Sequence, residues 1–177
     1  MLKLNYATIK KHDIANGIGV RVSLFVSGCT HHCKNCFNKE AWDFNYGNPF
    51  TDETVEEILK ALEPDYIKGL SVLGGEPFEP QNQDGVLKLL NKFKIIYPAK
   101  DVWCYSGYDF EKDMLSGKLA DKNKVYQMLR HIDVLVDGEF VDELKNPNLR
   151  FKGSANQRII DVKKSLEKNK LCLLESI

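Results

Sequence analysis

The chain has 177 residues, 43% of them hydrophobic and 28% charged, with 25 basic residues balanced by 25 acidic ones. This length fits a single domain, 1–177, with a buried core, and the charge balance gives no electrostatic reason to expect nucleic acid or an anionic membrane as partner. No apolar run reaches the length of a membrane span, and the first residues mix Lys3, Lys10, Lys11 and Asp13 with apolar positions instead of forming a signal-peptide core, so the cytoplasm is the expected compartment.

Along the chain the pattern alternates strands with helices. Val20, Val22, Leu24 and Val26 alternate with Arg21, Ser23 and Phe25, which predicts a strand ending at Gly28. A cysteine-rich loop follows. Thr51 is a candidate N-cap with Asp52 and Glu53 in the first turn; Val55, Ile58, Leu59 and Leu62 then recur at helical spacing, and Pro64 ends the helix. Leu70 to Leu73 predicts a short strand stopped by Gly74-Gly75. Val86, Leu90, Phe93 and Tyr97 mark a second helix closed by Pro98. Val102 to Tyr105 predicts a third strand, stopped by Ser106-Gly107. Val125, Met128, Leu129 and Ile132 mark another helix, running into a strand near Ile132 to Val136 that Asp137-Gly138 stops. Arg158 to Val162 reads as a late strand, followed by a short charged segment around Ser165 and Leu166.

Strand–helix alternation predicts parallel strands with right-handed crossovers. A full eight-fold barrel needs roughly 250 residues. The expected fold is therefore α/β: a partial, open (β/α) barrel or curved parallel sheet. The glycine-bearing turns at Gly28, Gly74-Gly75, Gly107 and Gly138 all fall at strand C-termini, the edge on which such folds place ligands.

Five cysteines, three of them within eight residues, do not make a disulfide framework; a reducing compartment with metal or cluster ligation is the better reading. Cys29, Cys33 and Cys36 form CxxxCxxC in Gly28-Cys29-Thr30-His31-His32-Cys33-Lys34-Asn35-Cys36-Phe37. Three thiolates can hold three corners of an iron–sulfur cubane and leave its fourth iron open for chemistry. The alternative is a structural zinc site with His31 or His32 as fourth ligand, although such sites usually pair two motifs and no second CxxC or HxxxH is present. The Gly74-Gly75-Glu76-Pro77 turn offers close backbone approach and a carboxylate able to accept charge-assisted hydrogen bonds from an ammonium group.

CxxxCxxC after an early strand, with Gly-Gly-Glu-Pro after a later one, resembles the radical S-adenosylmethionine superfamily. Asn16-Gly17-Ile18-Gly19-Val20-Arg21 leading into Leu24-Phe25-Val26-Ser27-Gly28-Cys29, with Cys36-Phe37-Asn38 and Trp42, is similar to the activating enzymes of glycyl-radical proteins. The segment Gly153-Ser154-Ala155-Asn156-Gln157-Arg158-Ile159-Ile160-Asp161 looks like the activases of anaerobic ribonucleotide reductase. The resemblance implies a [4Fe-4S] cluster on Cys29, Cys33 and Cys36, with S-adenosylmethionine on the open iron and its methionine end held by Gly74, Gly75 and Glu76. One-electron reduction would cleave the sulfonium, and the resulting 5′-deoxyadenosyl radical would take a hydrogen atom from a glycine Cα of the anaerobic ribonucleoside-triphosphate reductase. A flavodoxin-type electron donor is implied as well. Two positions depart from the pattern: Ile18 replaces a proline, and Asn35 replaces an aromatic that comes later, as Phe37. The adenine contact is accordingly expected from the backbone around Asn35, Cys36 and Phe37.

Ser106, with Gly107, is a candidate for the ribose or carboxylate, Asp137 for a ribose hydroxyl, and Asn156, Gln157 and Arg158 for a product or partner surface. Cys104 and Cys172 read as small buried hydrophobes, and His12 and His131 as structural. No Ser–His–Asp arrangement or acid/base carboxylate pair stands out, and radical abstraction needs neither. Other functions fit parts of this pattern: an activase of pyruvate formate-lyase or another glycyl-radical enzyme, a radical enzyme acting on a small molecule, or a zinc-binding interaction module without catalysis.

Overall fold

A computed structural model describes residues 3–175. In chain order the elements are β1 (Asn5–Asp13), β2 (Val20–Val26), β3 (Asn48–Pro49), α1 (Asp52–Ala61), β4 (Ile67–Gly74), α2 (Pro80–Ile96), β5 (Asp101–Tyr105), α3 (Lys122–His131), β6 (Val134–Asp137), β7 (Arg158–Asp161) and α4 (Val162–Lys168). Short 3-10 turns cover Lys39–Trp42 and Asp142–Leu144, and a π-helical turn covers Phe110–Leu115.

All seven strands form one sheet in the order β3-β1-β2-β4-β5-β6-β7. The centre, β2-β4-β5-β6, is parallel as expected. The edges are not: β1 runs antiparallel to β2, β3 to β1, and β7 to β6. The sheet is therefore mixed, which corrects the all-parallel expectation. A parallel pairing of β7 would need a crossover, and residues 138–157 contain only a 3-10 turn, so the chain simply doubles back. β1 escaped prediction because its side chains are mostly partly or fully exposed, leaving no clear apolar alternation to read.

The helices follow from local chemistry. Thr51 caps α1, its Oγ1 accepting from Thr54 N at 3.4 Å while Thr51 N donates to Thr54 Oγ1 at 3.2 Å, a capping box closed by threonine. α2 begins at Pro80, ahead of its first apolar marker, because proline suits the first helical position. The late charged segment is a helix, α4, capped by Asp161 on Lys164 N at 3.0 Å.

Both faces of the sheet are covered. On one, Val22, Leu24, Leu70, Val72, Val102 and Leu135 pack with Ile58, Phe93 and Met128 of the helices. On the other, Trp103, Val134, Val136 and Ile159 form a second cluster with Tyr105 and Phe151. Arg21 and Ser23, which sequence alternation set opposite the apolar positions, are fully buried on this second face. Arg21 donates to Ser71 Oγ at 2.7 Å, to Leu70 O at 2.9 Å and to Ile18 O at 3.0 Å, and pairs with Asp101 at 2.6 Å. These bonds compensate the burial of a guanidinium, which is otherwise expensive. No helix among the described residues is long and apolar enough to cross a membrane.

Candidate functional site

The cysteine loop leaves β2 through Gly28, whose φ of +97° suits glycine; a Cβ there would stand 2.2 Å from the Phe44 ring. Gly28 N donates to Ala41 O at 2.8 Å, and Cys29 N to Trp42 O at 3.2 Å, so the 3-10 turn anchors the loop's start. Cys36 N closes a turn onto Cys33 O at 3.1 Å, and Asn38 N points at Cys36 Sγ at 3.5 Å. Cys29 is buried, and Cys33 and Cys36 are half-buried. Burial pushes the Cys29 thiol up to about 12, against the backbone N–H groups of His31 and His32. Burial raises Cys33 as well. Without metal these are thiols, and ligation must expel their protons.

The Gly-Gly-Glu turn lies against this loop. Gly75 N donates to Val26 O at 2.7 Å and Glu76 N to Gly28 O at 2.8 Å. A Cβ on Gly75 would meet Gly28 O at 2.6 Å and Ala41 O at 2.9 Å. The glycines thus bring the turn close to the backbone that carries the cysteines. Asn82 of α2 ties the same pieces together, donating to Ser27 O and Glu76 O, both at 2.9 Å.

Glu76 is fully buried and fully engaged. Oε1 accepts from Phe78 N at 2.9 Å and Ser106 Oγ at 2.8 Å; Oε2 accepts from Gly107 N at 2.7 Å and His31 Nε2 at 3.1 Å. A carboxylate has about four such positions, so the free acceptor expected for an ammonium group is already occupied. His31 also bonds Glu139 through Nδ1 at 2.8 Å. Both ring nitrogens face carboxylates, so both donate. Burial opposes the charge, but Glu76 and Glu139 outweigh it and hold the imidazole up at about 9.

A cavity of about 360 Å³ opens at this edge of the sheet. All three motif cysteines line it, with Gly74, Gly75, Glu76, Ser106 and Phe37, from three separate strand ends. Its walls include Phe25, Tyr105, Phe140 and Phe151, and Lys152 and Gln157 come from the loop after β6. Sequence reasoning missed His31 as a brace and the whole contribution of residues 139–152, which carry no motif.

Two expected site residues lie elsewhere. Asn35 takes a left-handed conformation, with φ +56°, and turns outward to donate to Asp142 Oδ2 at 2.7 Å. Asp137 is buried behind the wall, receiving Arg158 Nε at 2.9 Å, Arg158 Nη2 at 2.5 Å and Phe110 N at 2.8 Å. Its oxygens serve that ion pair, not a ligand in the cavity. Among the described residues, Asp109, Glu111 and Asp137 are the carboxylates clustered tightly enough for a cation, and Arg158 already pairs with all three. Of the late polar trio only Gln157 lines the cavity; Asn156 donates to Glu139 O at 2.8 Å and shapes the loop. Cys104 is buried among the helix-facing core, as expected, whereas Cys172 is only half-buried and its thiol donates to Lys170 O.

A family model for a 4Fe-4S single cluster domain matches residues 15–160. A protein of Escherichia coli (strain K12) is 42% identical over 157 residues, covering 87% of this chain and 96% of its own. One of Vibrio cholerae is 40% identical over 158 residues, covering 88% and 97%. One of Enterobacteria phage T4 is 39% identical over 156 residues, covering 88% and 93%. All three carry the name anaerobic ribonucleoside-triphosphate reductase-activating protein. With three cysteines gathered at the mouth of one cavity and likeness running through nearly the whole length of these relatives, the chain belongs to the anaerobic ribonucleoside-triphosphate reductase-activating protein family.

Proposed function

We propose that the chain activates an anaerobic ribonucleoside-triphosphate reductase by generating a glycyl radical on it, using a [4Fe-4S] cluster and S-adenosylmethionine. The observation that carries this reading is the cavity at the C-terminal ends of the parallel strands, which Cys29, Cys33, Cys36, Gly74, Gly75 and Ser106 line together. The donor set fits a cubane with one iron free of protein: three thiols lie on the cavity, while Cys104 is buried in the helix-side core and Cys172 follows α4. The cavity also lies within the size range of small-molecule sites.

When bound, this pair of cofactors supplies reductive cleavage of a sulfonium and hydrogen abstraction from a glycine Cα. The chain's own residues do the rest. Cys29, Cys33 and Cys36 are the cluster ligands. Gly74, Gly75 and Phe37 contact S-adenosylmethionine through the cavity wall, with Ser106 beside them. Glu76 braces the site by fixing His31, Ser106 and Gly107 at once. Phe25, Phe140 and Phe151 keep water from the reacting centre. The Asn38 N–H directed at Cys36 Sγ is of the kind that tunes cluster potential. On this reading the sheet acts as an open partial barrel in one domain, a flavodoxin-type protein is the electron donor, and a reducing cytoplasm is the compartment.

The test is anaerobic reconstitution with iron and sulfide. The expected results are a brown protein with four irons per chain, S-adenosylmethionine cleavage on reduction, and a glycyl electron-spin signal only when the reductase is present. Stoichiometric zinc without sulfide would establish an interaction module instead. Turnover without the reductase would establish a small-molecule enzyme, and a glycyl signal on pyruvate formate-lyase alone would change the partner.

A further inference from the structure

Two buried carboxylates lie against the cysteine loop, and the fold treats them differently. Glu76 faces the cavity, where His31 meets it. Glu79 is 4% exposed and does not line the cavity. It stands at the N-cap position of α2, yet its side chain caps nothing. Instead Oε1 reaches across to accept from Thr30 N at 2.8 Å and Thr30 Oγ1 at 2.6 Å. Thr30 N is two bonds from Cys29 Cα, so the carboxylate oxygen lies no more than about 5 Å from that atom. Among the described residues no cation is paired with Glu79. Holding a carboxylate out of water without a counter-ion costs several kcal/mol, and a glutamine would give Thr30 the same carbonyl acceptor without that penalty.

We propose that Glu79 is a positioning and tuning residue which keeps the potential of the centre on Cys29, Cys33 and Cys36 low, by fixing a buried negative charge at the base of Cys29. The inference rests on the three-cysteine cluster reading of the site. Reduction adds one electron, supplied in the test by dithionite, and makes the centre more negative by one charge with no proton taken up. A fixed negative charge in a weakly screened position opposes that step. The established reaction class benefits, because splitting a sulfonium requires a strongly reducing electron.

The experiment is an electron-spin-monitored redox titration of the reconstituted protein and of Glu79→Gln. The expected result is wild-type iron and sulfide content with a midpoint shifted to more positive potential and slower S-adenosylmethionine cleavage. An unchanged midpoint in a fully loaded variant overturns the proposal. Thr30→Val removes one bond to Glu79 but leaves its charge, and keeps the wild-type midpoint; an equal shift there makes the effect one of loop geometry and also overturns it. If glutamine is not tolerated, Glu79→Ser is a second neutral side chain for the same titration. Glu143→Gln, an exposed carboxylate opposite Lys34, is the control and leaves the midpoint unmoved. Failure of the wild type to assemble a cubane counts against the site reading, whereas an unmoved midpoint in loaded Glu79→Gln counts against this inference alone.

Discussion

The cavity has two walls built on different principles. One comprises the cysteine loop, the Gly-Gly-Glu turn and the start of α2. Its polar groups are buried and bonded several times over: Glu76 meets four donors, and Asn82 donates to the carbonyls of Ser27 and Glu76. The other comprises residues 138–157. It meets the cysteine loop through Lys34–Glu143, whose side chains are 70% and 66% exposed, through Asn35–Asp142, and through an edge-on contact of Phe37 with Phe140 at 6.5 Å. Exposed ion pairs contribute roughly 0–1 kcal/mol each. The wall that carries the motif cysteines is rigid, and the facing wall is lightly fastened. His31 spans the two, with Glu76 on one side and Glu139 on the other.

The largest effect comes from removing a motif cysteine on the rigid wall. Cys33→Ala is expected to abolish iron and sulfide incorporation and S-adenosylmethionine cleavage while preserving the far-ultraviolet circular dichroism spectrum, because Cys33 is half-buried and outside both hydrophobic clusters. Residual cleavage would mean that two thiols suffice. Next is Gly75→Ala. Its methyl would press on two backbone carbonyl oxygens, which have no flexible end to move aside. Overpacking of this kind costs about 1–3 kcal/mol, and rigid backbone neighbours place it near about 3. Urea unfolding measures it, and a loss below about 1 kcal/mol would show the turn to be softer than its bonds imply.

The same contrast explains what could be read from the sequence. The rigid wall was legible because its chemistry is local: three cysteines in eight positions and a glycine pair directly after an apolar run. The helices α1 and α3 were legible from their apolar spacing, and the parallel centre of the sheet from the alternation of elements. The lightly fastened wall was not, since Phe140, Phe151 and Lys152 carry no motif and reach the cavity only because β7 turns back antiparallel to β6. Asp137 looked like a ligand residue from its place at a strand end. That reading needed Arg158, 21 positions later, to be corrected. Glu79 carried no signal either, because it resembles an ordinary helix-start acid until Thr30 is seen beside it.

A third effect lies at the opposite edge of the sheet and provides a buried reference. Asp133 accepts from Val102 N at 2.8 Å, and pairs with Lys94 at 2.9 Å and Lys163 at 2.6 Å. Burial works to raise its carboxyl, but the lysine bonds and the Val102 N–H prevail and hold it below the ordinary 3.8. Its contribution is therefore present above pH 3.8 and is lost as pH falls through the lower folded value. Asp133→Asn is expected to destabilise the protein at neutral pH by about 1.5 kcal/mol, the low end for hydrogen bonds to a charged group, since asparagine keeps an acceptor. The gap from wild type should close only below pH 3.8; closure already at pH 6 would assign it to another group.

The smallest effect on stability tests the lightly fastened wall itself. Asp142→Ala with Glu143→Ala removes its polar ties to Asn35 and Lys34. Global stability should fall only slightly, because both pairs are exposed. Access to the cavity should change far more than stability does. Cys33 and Cys36 line it, and in metal-free protein their alkylation by iodoacetamide reports how often residues 138–157 swing away. When opening is fast relative to labelling, the labelling rate tracks the open population. Weakening the ties should then raise that rate severalfold, with the unfolding midpoint nearly unmoved. Equal rates in the double variant and wild type would mean that Phe140 and the His31–Glu139 bond close the wall on their own.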